Sequence, residues 1–200
     1  MAVRLVVITV LLVGCWDSFR LLASAAVSRQ VDTHLGQLKH VRDAERKLAA
    51  EKLEQVLRID ARNPDTFRMV AEVSLDPLQK LSYLQELVAV RPRDSEAWAM
   101  IFSLRLAQAE NPDSTRTALA NAVATGPFEP ITLNRIVDAG TRYWLRLGEA
   151  ERRVVMLAAA RSLGHSAHYQ RAETRRLLID RGFLSLACSL VEEKPDSCSA

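Results

Sequence analysis

Three times in this chain a capping residue is followed directly by proline: Asn63-Pro64, Asp76-Pro77 and Asn111-Pro112. Proline has no backbone N–H and a φ fixed at about −65°, so it suits the first position of a helix and breaks the interior of one. The Asn or Asp before it offers a side-chain oxygen to the orphan N–H groups of the first turn. Each pair therefore marks the end of one helix and the start of another. The chain these pairs punctuate can only be a series of helices of moderate length joined by short turns.

Apolar residues between the pairs keep three- and four-residue steps, which place them on one helical stripe. Leu35, Leu38, Val41, Leu48, Val56 and Ile59 form the first stripe, and Phe67, Val70, Ala71 and Leu75 the second. Leu78, Leu81, Leu84, Leu87 and Val88 follow, ending near Arg91-Pro92. Asp94 or Ser95 caps a helix with Trp98, Ile101, Phe102 and Leu106. Leu119, Ala122 and Val123 belong to the next, stopped by Gly126-Pro127. A longer helix is expected from Ile131 through Tyr143 and Trp144 to Leu147, with Gly148 as its stop. Residues 149–163 make another, with Val154, Val155, Leu157 and Ala158 inward and Gly164 closing it. Ser166 then caps a helix through Ile179, broken by Gly182, and Phe183 to Val191 make the last.

The chain is 48% hydrophobic with only 7 Gly and 7 Pro, which favours long regular elements over loops and argues against a disordered chain. Val/Ile/Thr-rich sequence is confined to the first 13 residues, and no strand-like alternation follows. Two hundred residues suffice for one helical domain, 28–191, with a polar tail at 192–200. The formal charge of +3 is nearly balanced, so there is no concentrated basic face for nucleic acid. Arg152-Arg153 and Arg175-Arg176 stand beside Glu149, Glu151 and Glu173, which reads as a solvated surface with local ion pairs.

Residues 1–27 are read as a signal-like or membrane-anchor segment. Arg4 precedes an apolar run from Leu5 to Trp16, too short to span a bilayer alone, and a second apolar patch runs from Phe19 to Val27. Three fates compete. Leu12-Val13-Gly14-Cys15 fits lipidation at Cys15; Ala23-Ser24-Ala25 fits a signal-peptidase site; and 3–27 fits an uncleaved anchor with Asp17 and Arg20 at the bilayer surface. An anchored chain is expected at the inner membrane with its domain in the periplasm, and a lipid-anchored envelope protein is the alternative. In an oxidising periplasm Cys188 and Cys198 are a candidate disulfide, with two unpaired thiols as the alternative.

Two helix-to-turn junctions, 56–63 and 87–94, align with each other, and Pro64, Ser95 and Pro130 then open successive units spaced by 31 and 35 residues. Phe67, Trp98 and Leu133 take the fourth position of these units. Val70, Ile101 and Ile136 take the seventh, and Ala71, Phe102 and Val137 the eighth. Over residues 45–164 this resembles a tetratricopeptide repeat, whose period is about 34 residues. Ala61, Phe102 and Val137 depart from the family's preferences for Pro and for a small residue. The resemblance implies an all-α, degenerate stack of antiparallel helical hairpins, with 166–191 capping its end. It implies a concave groove for a protein partner, lined by Arg68, Glu72, Ala99, Ser103, Asn134 and Asp138. The layout of a short membrane segment before about 170 helical residues, with Trp144-Leu145-Arg146-Leu147 and an Arg/Leu/Gly/Cys tail from Arg175 to Cys188, also resembles the small VpsP-type proteins encoded with bacterial exopolysaccharide synthesis genes. That likeness implies a partner in the envelope polysaccharide machinery.

No chemistry stands out beside this. His165 and His168 flank a turn, and His34 and His40 fall on different faces of a helix, so neither pair has metal-ligand geometry. The sequence has no G-x-S-x-G, H-E-x-x-H or C-x-x-C, and no Gly-rich phosphate loop, so no cofactor is expected. Cys188 lies in an apolar segment where a thiol is usually filler. A helical glycan hydrolase would need only one well-placed acid, such as Glu72 or Asp138, and nothing selects either. The expectation is a non-catalytic, membrane-tethered interaction scaffold. An outer-membrane lipoprotein with a structural role and a glycan-active envelope enzyme are the alternatives.

Overall fold

A computed structural model describes residues 43–59, 63–165, 168–191 and Cys198. Among these residues the regular structure is entirely helical, and no helix is long and apolar enough to cross a membrane. Residues 1–27, Cys15 and the stripe positions Leu35, Leu38 and Val41 lie outside the described residues. The stretch read from sequence as one domain divides into two compact units, the boundary falling between Val90 and Arg91.

The first unit contains helices α1 (Asp43–Ile59), α2 (Pro64–Val73) and α3 (Pro77–Val90). The cap-and-proline pairs work as expected. Asn63 Oδ1 accepts from the N–H groups of Asp65 and Thr66 at 3.1 and 3.2 Å, and Asp76 Oδ1 accepts from Leu78 N–H at 3.0 Å. Helix α2 packs against both α1 and α3. Leu53, Val70 and Val73 form the centre of this unit, with Ala50, Leu57, Met69 and Tyr83 packed around them. The carboxylate of Glu54 on α1 accepts from Tyr83 Oη at 3.1 Å and from Gln79 Nε2 at 3.2 Å, both on α3, and Ser74 at the end of α2 donates to Gln79 Oε1 at 3.0 Å. Burial, then the nearby Glu54 charge, pushes the Tyr83 phenol up. Leu48, Leu75 and Leu78 of the expected stripes are exposed, Leu78 by 67%. Leu75 lies in the turn between α2 and α3 and Leu78 in the first turn of α3, so neither follows the stripe.

The second unit contains α4 (Ser95–Gln108), α5 (Pro112–Thr125), α6 (Pro130–Arg142), a 3₁₀ turn (Trp144–Arg146), α7 (Glu149–His165), α8 (His168–Asp180) and α9 (Leu184–Cys188). Asp94 caps α4, accepting from Ala97 N–H at 3.0 Å, and Asn111 caps α5, accepting from Asp113 N–H at 2.9 Å. Helix α4 packs on α5 and α6, α6 on α7 and α8, and α9 against α7 and α8. Ile101, Phe102, Leu119, Leu133, Ile136, Val137, Val155, Leu163 and Leu178 are essentially fully buried. Helices α6 and α7 touch at Gly140, where an added Cβ would come within 2.5 Å of a Val155 methyl.

Three expected boundaries move. The long helix through Leu147 stops at Arg142. Arg146 reaches across to donate to the Leu106 and Ala107 carbonyls at 2.6 and 3.0 Å, and the Trp144 ring lies 4.7 Å from that of Phe183. Those non-local contacts hold residues 144–146 in a tighter turn than an α-helix allows. Helix α7 runs through Gly164 to His165, because one interior glycine costs only about 1 kcal/mol while Leu163 beside it is fully buried. The last helix is shorter than Phe183 to Val191, spanning Leu184–Cys188. Leu157 is 41% exposed and Val154 half-buried, so Val155 and Ala158 carry the inward face of α7, joined by Met156, Ala159 and Ala160.

Candidate functional site

The sequence-derived groove positions are shared between the two units. Arg68 (half-buried) and Glu72 (exposed) lie on α2 in the first unit, and the other four lie in the second. Ala99 does not face outward. It is fully buried, because α4 is enclosed by α5 on one side and α6 on another. Ser103 is half-buried on α4. Asn134 and Asp138 come together on one face of α6, and that face opens a cleft.

The cleft, about 370 Å³, runs between α6 and α8. Pro130, Ile131, Asn134, Arg135 and Asp138 supply one wall, and Tyr169, Gln170, Glu173 and Leu177 the other. Each set follows the three- and four-residue steps of one helical face. Two of the charged groups are held by neighbours. Arg135 donates Nε and Nη2 to one Glu96 carboxylate oxygen at 3.1 and 2.8 Å, while Ser95 and Thr132 share a hydroxyl bond of 2.8 Å beside it. Asp138 accepts from Arg142 on its own helix and from Arg181, whose Nη1 also donates to the Asp138 carbonyl and to Thr141 Oγ1. Behind the cleft, buried Ser162 and Thr174 share a 2.7 Å bond, and Thr174 Oγ1 reaches Asn134 Oδ1 at 3.4 Å.

The other wall is different. The side chains of Tyr169, 69% exposed, Gln170 and Glu173 make no hydrogen bond or ion pair with the described residues. They present an aromatic ring, an amide and a carboxylate above a frame that is already satisfied. Such a site can grip a chain by stacking and hydrogen bonding. Sequence reasoning missed this wall, because the last helices were assigned to a closing role. The steps Tyr169, Glu173 and Leu177, each four residues apart, were the available signal.

Arg176 is exposed and pairs locally with Asp180 at 3.9 Å, whereas the Arg152-Arg153 segment departs in part from the expected solvated surface. Arg153 and Glu149 do pair locally, at 3.0 Å. Glu151 instead is buried and accepts from Arg116 Nε on α5 at 2.5 Å. This bond, with help from the backbone N–H groups of Glu151 and Gly148, holds the Glu151 carboxyl below the usual carboxylate range. Arg152 turns inward to the Trp144 carbonyl, 3.1 Å away. Among the described residues no group of His, Cys, Asp and Glu converges as a metal site. Cys188 and Cys198 are joined by a disulfide with a Cα–Cα distance of 5.7 Å, which ties Cys198 to the buried end of α9.

Compared with protein-family models, curated proteins and solved structures, the chain finds no match.

Proposed function

We propose that this chain is a non-catalytic scaffold of the tetratricopeptide-like kind that holds a protein segment in the α6–α8 cleft. In this reading residues 1–27 tether it to a bacterial inner membrane, the helical part faces the periplasm, and the partner belongs to envelope or exopolysaccharide assembly. The observation that carries the reading is the cleft. Asn134 and Asp138, two positions the repeat resemblance assigns to a partner groove, line it opposite the unpaired Tyr169, Gln170 and Glu173. The helix pairing supports it too. Pro64, Ser95 and Pro130, the three unit starts, each begin a helix. The seventh and eighth positions of all three units are fully buried. In the second unit α4/α5 and α6/α7 pair as hairpins, with α6 against α4 and α8 against α6, the order in which stacked repeats bury a continuous core.

A photo-crosslinking residue in place of Tyr169 in the full-length protein, expressed in its own cells, tests the reading. A discrete protein adduct is expected at position 169, absent when the same residue replaces exposed Ala120, and lost with Glu173→Lys. Adducts equal at 169 and 120, or none at 169, would remove the cleft as a partner site. A partner outside polysaccharide assembly would leave the scaffold and remove the assignment to that pathway.

A further inference from the structure

The most exposed large apolar side chain among the described residues is Leu145, 89% exposed at the middle of the 3₁₀ turn. A leucine held this far out by a defined turn is left uncovered by the described residues. Its setting is specific. Trp144 precedes it, half-buried against Phe183 at 4.7 Å, and the Arg152 guanidinium lies 5.4 Å from the Trp144 ring. Arg146 follows it, 5.0 Å from the Tyr143 ring. The acids nearby are already engaged: Asp138 by Arg142 and Arg181, Glu149 by Arg153, and Glu151 by Arg116. Arg146 and Arg152 bond only carbonyl oxygens, Arg146 through Nη1 and Arg152 through Nε. Two guanidinium charges without a carboxylate partner among the described residues therefore flank the projecting leucine, and their remaining nitrogens can donate outward.

We propose that the Tyr143–Leu147 turn docks on an anionic lipid surface. The chemistry matches the layers of such a surface. Leucine enters the acyl boundary, tryptophan and tyrosine rings sit at headgroup depth, and arginine meets lipid phosphate while its stem lies along the apolar layer. A protein segment is the less suitable occupant, since peptide recognition uses a groove or a sheet edge, and Leu145 projects. The turn is held in place, because Arg146 clamps it to α4 and Arg152 clamps it to α7, so little ordering is needed on contact. One such loop binds weakly. It would set the orientation of a chain that is held at the membrane by other means.

The full-length protein with Cys15→Ser and a nitroxide label on Leu145→Cys, the Cys188–Cys198 pair kept oxidised, tests this. It is mixed with phosphatidylcholine vesicles with or without phosphatidylglycerol, and the label's collisions with oxygen and with a water-soluble nickel chelate are compared. With phosphatidylglycerol the label is expected to gain oxygen collisions and lose chelate collisions, while a label at Ala120→Cys stays in water. High salt and the pair Arg146→Gln/Arg152→Gln should abolish the change. Arg146→Lys/Arg152→Lys should retain it, which separates charge from loss of the clamp. A label at 145 that stays in water on both vesicles, or is immersed equally on both, overturns the proposal. A label shielded only on adding a soluble envelope extract would assign the turn to a protein partner instead.

Discussion

Among the described residues the first unit gathers around an apolar centre crossed by a Glu54 link, and the second is laced by arginine. In the first, Leu53, Val70 and Val73 meet, and Glu54 links α1 to α3. In the second, Arg116, Arg135, Arg146 and Arg181 each bridge positions 35 to 43 residues apart in sequence. The difference follows from side-chain size. The second unit buries Ala97, Ala99, Ala118, Ala122, Ala139, Ala158, Ala159 and Ala160, and Gly140 with them. Small residues let helix axes approach closely, but each removes little apolar surface from water. The arginines add directional bonds at the rims of these contacts, where a long side chain can reach a carbonyl or carboxylate on the next helix.

Truncating a central side chain in each unit would test that comparison most severely. Phe102→Ala in the second unit should cost about 3–5 kcal/mol and Leu53→Ala in the first about 2–5 kcal/mol. Hydrogen exchange should show each variant losing protection mainly within its own unit. Loss of protection across both units in either variant would mean they unfold together. Next in size is Gly140→Ala, which drives a methyl into Val155 and should cost about 1–3 kcal/mol by chemical denaturation. A neutral result would show that α6 and α7 can separate without penalty.

Smaller effects come from the polar rim. Glu151 has a folded-state pKa below its unfolded value, so its contribution is full above the ordinary glutamate range and is lost as pH falls through the folded value. Glu151→Gln should flatten the acid limb of a stability–pH curve, and at neutral pH Glu151→Ala should cost about 1 kcal/mol in lost capping bonds. The smallest expected change is a gain. Ala109 closes α4 in the left-handed region at φ 53°, with Glu110 N–H on the Arg105 carbonyl at 3.1 Å. Ala109→Gly relieves that backbone and should stabilise by about 1 kcal/mol, seen as a higher Tm.

Local features were legible in the sequence and non-local ones were not. Asn63, Asp94 and Asn111 act within two or three residues of themselves, so their positions alone announce helix starts. The break at Tyr143 depends on carbonyls near residue 106, and the exposure of Leu78 depends on the chain leaving the stripe at the turn before α3, so periodicity misreads both. Asn134 and Asp138, singled out by repeat position, line one wall of the cleft. The other wall was not singled out, because α8 carries a polar stripe whose meaning appears only when it faces α6. Ala99 was misplaced for the opposite reason: its position in the repeat matches Asn134, but it is enclosed where Asn134 is at an edge.

The Arg146 contact with the Leu106 and Ala107 carbonyls also bears on the order of events when the chain folds. The last turn of α4 is finished locally by a strained alanine and then completed by a cation arriving from 40 residues downstream. The α4/α5 hairpin needs only near neighbours, whereas this contact must wait for α6 and the turn after it. A bond formed that late belongs to the descent after the transition state. Its removal by Arg146→Gln should therefore speed unfolding while leaving the refolding rate nearly unchanged, and a chevron with its refolding arm displaced would place the contact in the nucleus instead.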